Sequence, residues 1–100
     1  MPKIQLKSPP TTRASVEYWK QNRAKLGTLR QAYCNSAHGI GHLVVEGSEA
    51  MMTLRGCTCG YAGEGPHGTA EVLQSLGVDE AQAYELMKEQ VFKVLFECRE

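Results

Sequence analysis

The pattern of hydrophobic and polar positions divides the chain into segments with different periodicities. Near the amino terminus, Ile4 and Leu6 alternate with polar residues, which predicts a short strand over residues 3–7. From Ser15 to about Tyr33, hydrophobic positions recur every three or four residues, which predicts a helix capped by Ser15. The apolar stripe of this predicted helix consists of Val16, Trp19, the aliphatic stem of Arg23, Leu26, Leu29 and Tyr33.

Two apolar runs in the middle of the chain predict two more strands. They cover residues 42–46 and 51–57, and the short connection between them favours an antiparallel hairpin. Two prolines separate the first strand from the first helix, because proline supplies no hydrogen-bond donor to a sheet. We therefore interpret residues 1–14 as a strand with a proline-rich connector, and residues 15–100 as one globular domain.

The last third of the chain predicts two further helices. The first runs from Thr69, its predicted N-cap, to Leu76, and Gly77 is its predicted left-handed stop. Asp79 caps the second, which extends to about Cys98. Its apolar stripe packs in the core or, because the spacing is heptad-like, forms a dimer interface. The stripe consists of Tyr84, Met87, Val91, Val94, Leu95 and Cys98, widened by Phe92 and Phe96, and the interface candidates are Tyr84, Val91, Phe92 and Leu95.

The predicted fold is α+β, with a small antiparallel sheet of about three strands, three helices and a helical hairpin at the carboxy terminus. The composition, 42% hydrophobic and 22% charged, is typical of a globular domain and argues against a disordered chain. No apolar run approaches the roughly 20 residues of a membrane helix, and the first residues lack the apolar stretch of a signal peptide. We expect a cytoplasmic protein with reduced cysteines and no membrane partner.

The zero net charge hides an uneven distribution. Residues 1–34 carry seven lysines and arginines and one acid, whereas residues 35–100 carry four and ten. There are two interpretations of this distribution. Either the two halves pack together and their opposite charges complement each other, or the basic half forms a nucleic-acid-binding arm. The arm would be the first predicted helix, with Lys20, Arg23, Lys25 and Arg30.

Residues 71–86 resemble a helix-turn-helix segment, with a short helix, a Gly-Val turn, a polar cap and a second helix. The resemblance implies a second helix that enters the major groove of DNA. That helix begins with acidic residues, Asp79, Glu80 and Glu85, which would repel phosphates. The charge pattern therefore argues against nucleic acid as the partner.

The segment from Arg55 to Thr69 is the strongest candidate for a binding site. It contains five of the ten glycines and connects a predicted strand to a predicted helix. Free N–H groups at a helix start attract anions, and glycines allow the backbone to approach a ligand. The candidate ligand-binding residues are Arg55, Gly60, Gly63, Gly65, His67, Gly68 and Thr69.

Other features limit this interpretation of the segment. It lacks the Gly-Lys-Ser/Thr of a P-loop, and its Gly-x-Gly-x-x-Gly string contains a proline and has no βαβ context. Glu64 and Glu71 would repel an anion if they pointed inward. The alternatives are a tight connection without a ligand and a loop that contacts another protein.

Cysteine and histidine residues cluster within residues 34–67. Zinc prefers sulfur and imidazole ligands in sets of four. The candidate ligands are Cys34, His38, His42, Cys57 and Cys59, with His67 nearby. The spacing is not that of a known knuckle, so the alternatives are buried thiols with ordinary histidines, or a Cys–His nucleophilic pair.

The leading expectation is a small non-enzymatic binding module that holds an anionic or nucleotide-like ligand in the Gly60–Thr69 loop. The first alternative is a protein-interaction or regulatory factor, in which the last helix contacts a partner or forms a homodimer. A zinc-stabilised adaptor and a nucleic-acid-binding domain are further alternatives. An enzyme ranks third, after the binding module and the interaction factor, because no catalytic triad or carboxylate pair is recognisable and a small domain leaves little room for a deep cleft.

Overall fold

A computed structural model describes residues 4–61 and 63–96 of the protein. These residues form a five-stranded sheet and three α-helices, which confirms the α+β class. The strands are β1 (Ile4–Lys7), β2 (Leu29–Asn35), β3 (Leu43–Gly47), β4 (Ala50–Leu54) and β5 (Val91–Leu95). The helices are α1 (Thr12–Asn22), α2 (Glu64–Ser75) and α3 (Glu80–Lys88), and a 3-10 turn covers Arg23–Leu26.

The sheet is larger than predicted and has mixed strand directions. Its order is β1-β4-β3-β2-β5. The predicted antiparallel hairpin is confirmed as β3 and β4, in which Leu43 pairs with Leu54. The prediction of a wholly antiparallel, roughly three-stranded sheet is wrong, because β1 runs parallel to β4 and two further strands, β2 and β5, join the sheet.

The first predicted helix ends much earlier than Tyr33. Helix α1 ends at Asn22, and Gly27 then adopts φ +76°, a left-handed conformation that takes the chain out of the helical direction. Of the residues that continued the helical spacing, Arg23 and Leu26 lie in the 3-10 turn, and Leu29 and Tyr33 lie in β2. The predicted cap is also wrong: Thr11 caps α1 by accepting a hydrogen bond from the Ala14 N–H at 3.3 Å.

The last helix is likewise shorter than predicted. Helix α3 ends at Lys88, Glu89 is extended, and residues 91–95 form β5. This segment is rich in β-branched and aromatic residues, which favour a strand once a neighbouring strand is available. The predicted cap is confirmed, since the Asp79 carboxylate accepts a hydrogen bond from the Ala81 N–H. Cys98, the predicted end of the helix, lies outside the described residues.

Helix α2 begins five residues before its predicted N-cap. Gly63 is the N-cap, and Pro66 lies in the first turn, where a missing N–H costs no helical hydrogen bond. The predicted stop is confirmed, because Gly77 has φ +98° and its N–H donates to the Gln74 carbonyl. The Val78 N–H donates to the Leu73 carbonyl, which completes a Schellman motif.

The three helices cover one face of the sheet. Alternate strand residues point into this core, and Trp19 of α1 lies at its centre with no exposed surface. The Trp19 indole N–H donates to the Ser75 hydroxyl at 2.8 Å, and the Arg23 guanidinium lies 5.0 Å from the ring centroid. The opposite face of the sheet, the open face, is half-buried to exposed, and on it Tyr33 of β2 lies between Val44 of β3 and Lys93 of β5.

Candidate functional site

The Gly-rich connector between β4 and α2 is folded into the core. Cys57, Thr58 and Cys59 are buried, and the Thr58 N–H donates to the Gly65 carbonyl at 3.2 Å. The Thr69 hydroxyl donates to the Thr58 carbonyl at 2.6 Å. These bonds tie the connector to the first two turns of α2, and they occupy the Thr69 hydroxyl, which the sequence assigned to a ligand.

Close packing accounts for three of the glycines in the predicted Gly-rich segment, Gly56 in the connector and Gly65 and Gly68 in the first two turns of α2. A Cβ atom at Gly56 would overlap the carbonyl of Thr11, and one at Gly65 would overlap the Thr58 hydroxyl. At Gly68, a Cβ atom would lie 2.6 Å from the Thr12 methyl group. A side chain at any of these positions would force its neighbours to move, because the connector packs against the start of α1, and α2 packs against both.

Two of the predicted ligand-binding residues, His67 and Gly68, line an open groove of about 410 Å³ between α1 and α2. Arg55 and Gly60 do not line it, and the Gly60 N–H instead donates to the Met87 carbonyl at 2.8 Å. The other residues that line the groove are Thr12, Arg13, Val16, Glu17, Lys20, Glu64 and Glu71.

The groove carries mixed charge. Both glutamates that the sequence identified as a difficulty, Glu64 and Glu71, line it. The Lys20 ammonium lies 3.7 Å from the Glu71 carboxylate, so the positive charge of Lys20 is partly compensated by Glu71. The His67 ring packs edge-on against Tyr84, with the ring centroids 5.7 Å apart. Arg13 and His67 are therefore the groups best placed to meet an anion in this groove.

The predicted metal ligands lie in different surroundings. Cys34, Cys57 and Cys59 are buried, whereas His38 and His42 are exposed, as is His67. Among residues 4–61 and 63–96, no group of three or more histidine, cysteine or acidic side chains is arranged to hold a metal ion.

Two of the buried thiols, Cys34 and Cys57, lie in surroundings that oppose ionisation. Burial, with a smaller contribution from the Glu71 carboxylate, raises the pKa of Cys57 to about 12. Burial and the neighbouring Cys59 thiol raise the pKa of Cys34 well above its usual range. A nucleophilic cysteine needs a lowered pKa, so this environment argues against that role for Cys34 and Cys57.

The predicted interface residues occupy three different environments. Tyr84 lies on α3 against His67, and Phe92 is buried on the helical side of β5. Val91 and Leu95 are 54% and 72% exposed and lie on the open face. Lys93 lies between them on the same face of the strand. It was not among the predicted interface residues, because the segment was predicted to be a helix, in which residues two positions apart do not share a face. An alternation with period two, Val91–Lys93–Leu95, is the signal that would have found them.

Strand β5 is the outermost strand of the sheet on this side. It pairs with β2 through five residues, and no strand of the described chain lies against its other edge. An edge of this kind leaves backbone N–H and C=O groups that another strand can bind. At the opposite edge of the sheet, β1 exposes one large apolar side chain, Ile4.

No protein-family model, curated protein or solved structure matches this chain. Within the described residues, no helix has both the length and the apolar character needed to cross a membrane. The two candidate binding surfaces of the described chain are the α1/α2 groove and the β5 edge.

Proposed function

We propose that the chain is a protein-interaction module that binds an extended polypeptide segment as a sixth strand alongside β5. The observation that carries the proposal is the exposure of Val91 and Leu95, two large apolar side chains on a strand that is paired on one side only. Exposed apolar residues at an unpaired sheet edge are uncommon in proteins that have no partner for that edge.

Strand addition suits the dimensions and chemistry of this edge. The added backbone would hydrogen-bond to the five residues of β5, which supplies affinity for many sequences. Specificity would come from the open face, where side chains of the added strand lie directly beside Val91, Lys93 and Leu95. Two features of the edge limit aggregation with other strands: it carries a lysine, Lys93, and it is only five residues long.

The test uses the capped synthetic peptide Thr-Val-Thr-Gln-Thr-Val-Thr, which presents both valines and the central glutamine on one face in either strand direction. We expect the peptide to bind and to slow amide hydrogen exchange in β5. Leu95→Lys should weaken binding about tenfold or more, because it replaces apolar contact with charge. Ile4→Lys is the matched control, since it makes the same kind of change on the opposite edge and should leave binding unchanged.

Two results would contradict the proposal. One is peptide affinity that is equal in the wild type and in Leu95→Lys. The other is slowed exchange that occurs only at residues outside β5 and β2. Light scattering on the free protein, from micromolar to millimolar concentration, tests whether a second copy of the chain occupies the β5 edge. A dimer that Leu95→Lys dissociates would show that the partner is another copy of this chain and not a different polypeptide.

A second candidate function is binding of a small anion in the groove between α1 and α2. It is supported by Arg13 and His67, which line the groove together with Glu64 of the first turn of α2. The N-cap residue of that helix, Gly63, has no side chain, so no side chain caps the N–H groups of this turn. The three carboxylates of the groove act against it. Titration calorimetry with inorganic phosphate and with AMP tests this function: Arg13→Ala should abolish the heat of binding, whereas Lys25→Ala, outside the groove, should preserve it. Absence of heat with both anions would exclude it.

A further inference from the structure

The charge between the two apolar side chains of β5 narrows the kind of segment that this edge would bind. Resting on the proposed function, we infer that the segment carries an acidic side chain flanked by apolar ones at alternate positions. The acid would lie beside Lys93, and the apolar side chains beside Val91 and Leu95. The partner is thus an extended polypeptide with the pattern apolar–x–acid–x–apolar.

Lys93 forms no salt bridge with another of the described residues. In the sheet register it lies directly opposite Tyr33, and its diagonal neighbours on β2 are Gln31 and Asn35, all uncharged at neutral pH. The only acid of the described strands that shares this face is Glu46, which lies one strand further away, on β3. Its carboxylate accepts a hydrogen bond of 2.7 Å from the Gln31 side chain.

The side chains on either side of Lys93 are apolar and exposed. Val91 and Leu95 are separated from it by one residue each, so all three project from the same face of the strand. A paired strand places its own side chains at about 4.5–5.5 Å from these three, in the same alternation. Apolar side chains at the outer positions would remove Val91 and Leu95 from water and would lower the dielectric around the central charge pair.

The same geometry disfavours a second copy of this chain as the occupant. An antiparallel pair of β5 strands that covers both apolar residues must place Val91 opposite Leu95 of the other copy. In that register Lys93 lies opposite Lys93, and like charges directly opposite each other are destabilising. A heterologous segment with an acid at the centre avoids this repulsion.

The experiment compares three capped peptides, Thr-Val-Thr-X-Thr-Val-Thr with X as Glu, Gln or Lys, on the wild type and on Lys93→Glu. On the wild type we expect the Glu peptide to bind about two- to fivefold more tightly than the Gln peptide, and the Lys peptide to bind most weakly. On Lys93→Glu the order should reverse. Added salt should reduce the difference between the Glu and Lys peptides and leave the Gln peptide little changed.

The outcomes separate this inference from the proposed function. Equal binding of all three peptides, with β5 protected in each case, would overturn the acidic preference and leave strand addition intact. The same order of affinities on the wild type and on Lys93→Glu would also overturn the preference. Failure of all three peptides to bind would remove both, and so would a dimer formed through β5.

Discussion

The Thr69 hydroxyl donates a 2.6 Å hydrogen bond to the carbonyl oxygen of Thr58, eleven residues earlier in the chain. Both residues are buried, so this bond satisfies a carbonyl that water cannot reach. We expect Thr69→Val, which keeps the shape and removes the donor, to lower the free energy of unfolding by about 1–3 kcal/mol. Urea denaturation measures the change.

The control for this prediction is Thr53→Val, a threonine on the open face of β4. It should change the free energy of unfolding by no more than about 0.5 kcal/mol, because its side chain is half-exposed. Equal stability of Thr69→Val and the wild type would show that the connector does not depend on this bond.

Gly65 packs directly against the Thr58 side chain, so we expect Gly65→Ala to be destabilising by about 1–3 kcal/mol. The added methyl group would overlap the hydroxyl that contacts Tyr61 at 2.9 Å. Thr58→Ala removes that hydroxyl, so the double variant should lose less stability than the sum of the two single variants. Additive losses in thermal or urea unfolding would contradict overlap at this position.

The raised pKa of Cys57 predicts loss of stability at alkaline pH. The pKa of this thiol is about 12 in the folded protein, against an ordinary value of 9.0 for a cysteine exposed to water. Above pH 9 the unfolded chain therefore releases a proton that the folded chain retains, and stability falls by up to about 1.4 kcal/mol per pH unit. This contribution is fully present below pH 9 and is lost as the pH approaches 12.

Urea unfolding between about pH 8 and pH 11, under reducing conditions, measures this effect. Cys57→Ala should show a shallower fall of stability with pH than the wild type. Val45→Ala, a core substitution without a titratable group, should lower stability by a similar amount at every pH. A parallel pH profile for the wild type and Cys57→Ala would show that the Cys57 thiol does not ionise differently on unfolding.

Local signals in the sequence were sufficient for some elements of the fold. The β3–β4 hairpin, the Asp79 cap and the Gly77 stop depend on residues close together in sequence, and each is confirmed. The candidate anion site was harder to predict, because the residues that suggested it serve packing within the protein. The Thr69 hydroxyl binds the Thr58 carbonyl, and the glycines of this segment make room for Thr58 and for the start of α1. Such contacts between distant residues leave no periodic trace.

The two missed strands have one physical cause. Helical spacing continued from α1 into β2 and from α3 into β5, so periodicity alone favoured two long helices. The two missed strands pair with each other, Ala32 opposite Val94 and Cys34 opposite Phe92, and this pairing stabilises both segments as strands. A pairing between residues so far apart in sequence is a tertiary effect that overrides local spacing.

Gly27 is the one local signal that separates the helical segment from β2. Its φ of +76° is rarely adopted by other residues, and a Cβ atom there would lie 2.5 Å from the Ser48 hydroxyl oxygen and 2.6 Å from Glu49 Cγ. Gly27→Ala should therefore lower the free energy of unfolding by about 1–3 kcal/mol, through backbone strain and overlap together.

Gly77→Ala separates the two causes, because Gly77 has φ +98° but open space around its missing Cβ atom. We expect the loss at Gly77 to be the smaller, about 1 kcal/mol, since only backbone strain contributes. Urea midpoints of the two variants give the comparison directly. A Gly27→Ala variant as stable as the wild type would mean that the turn into β2 does not require glycine, and the boundary between α1 and β2 would then need another cause.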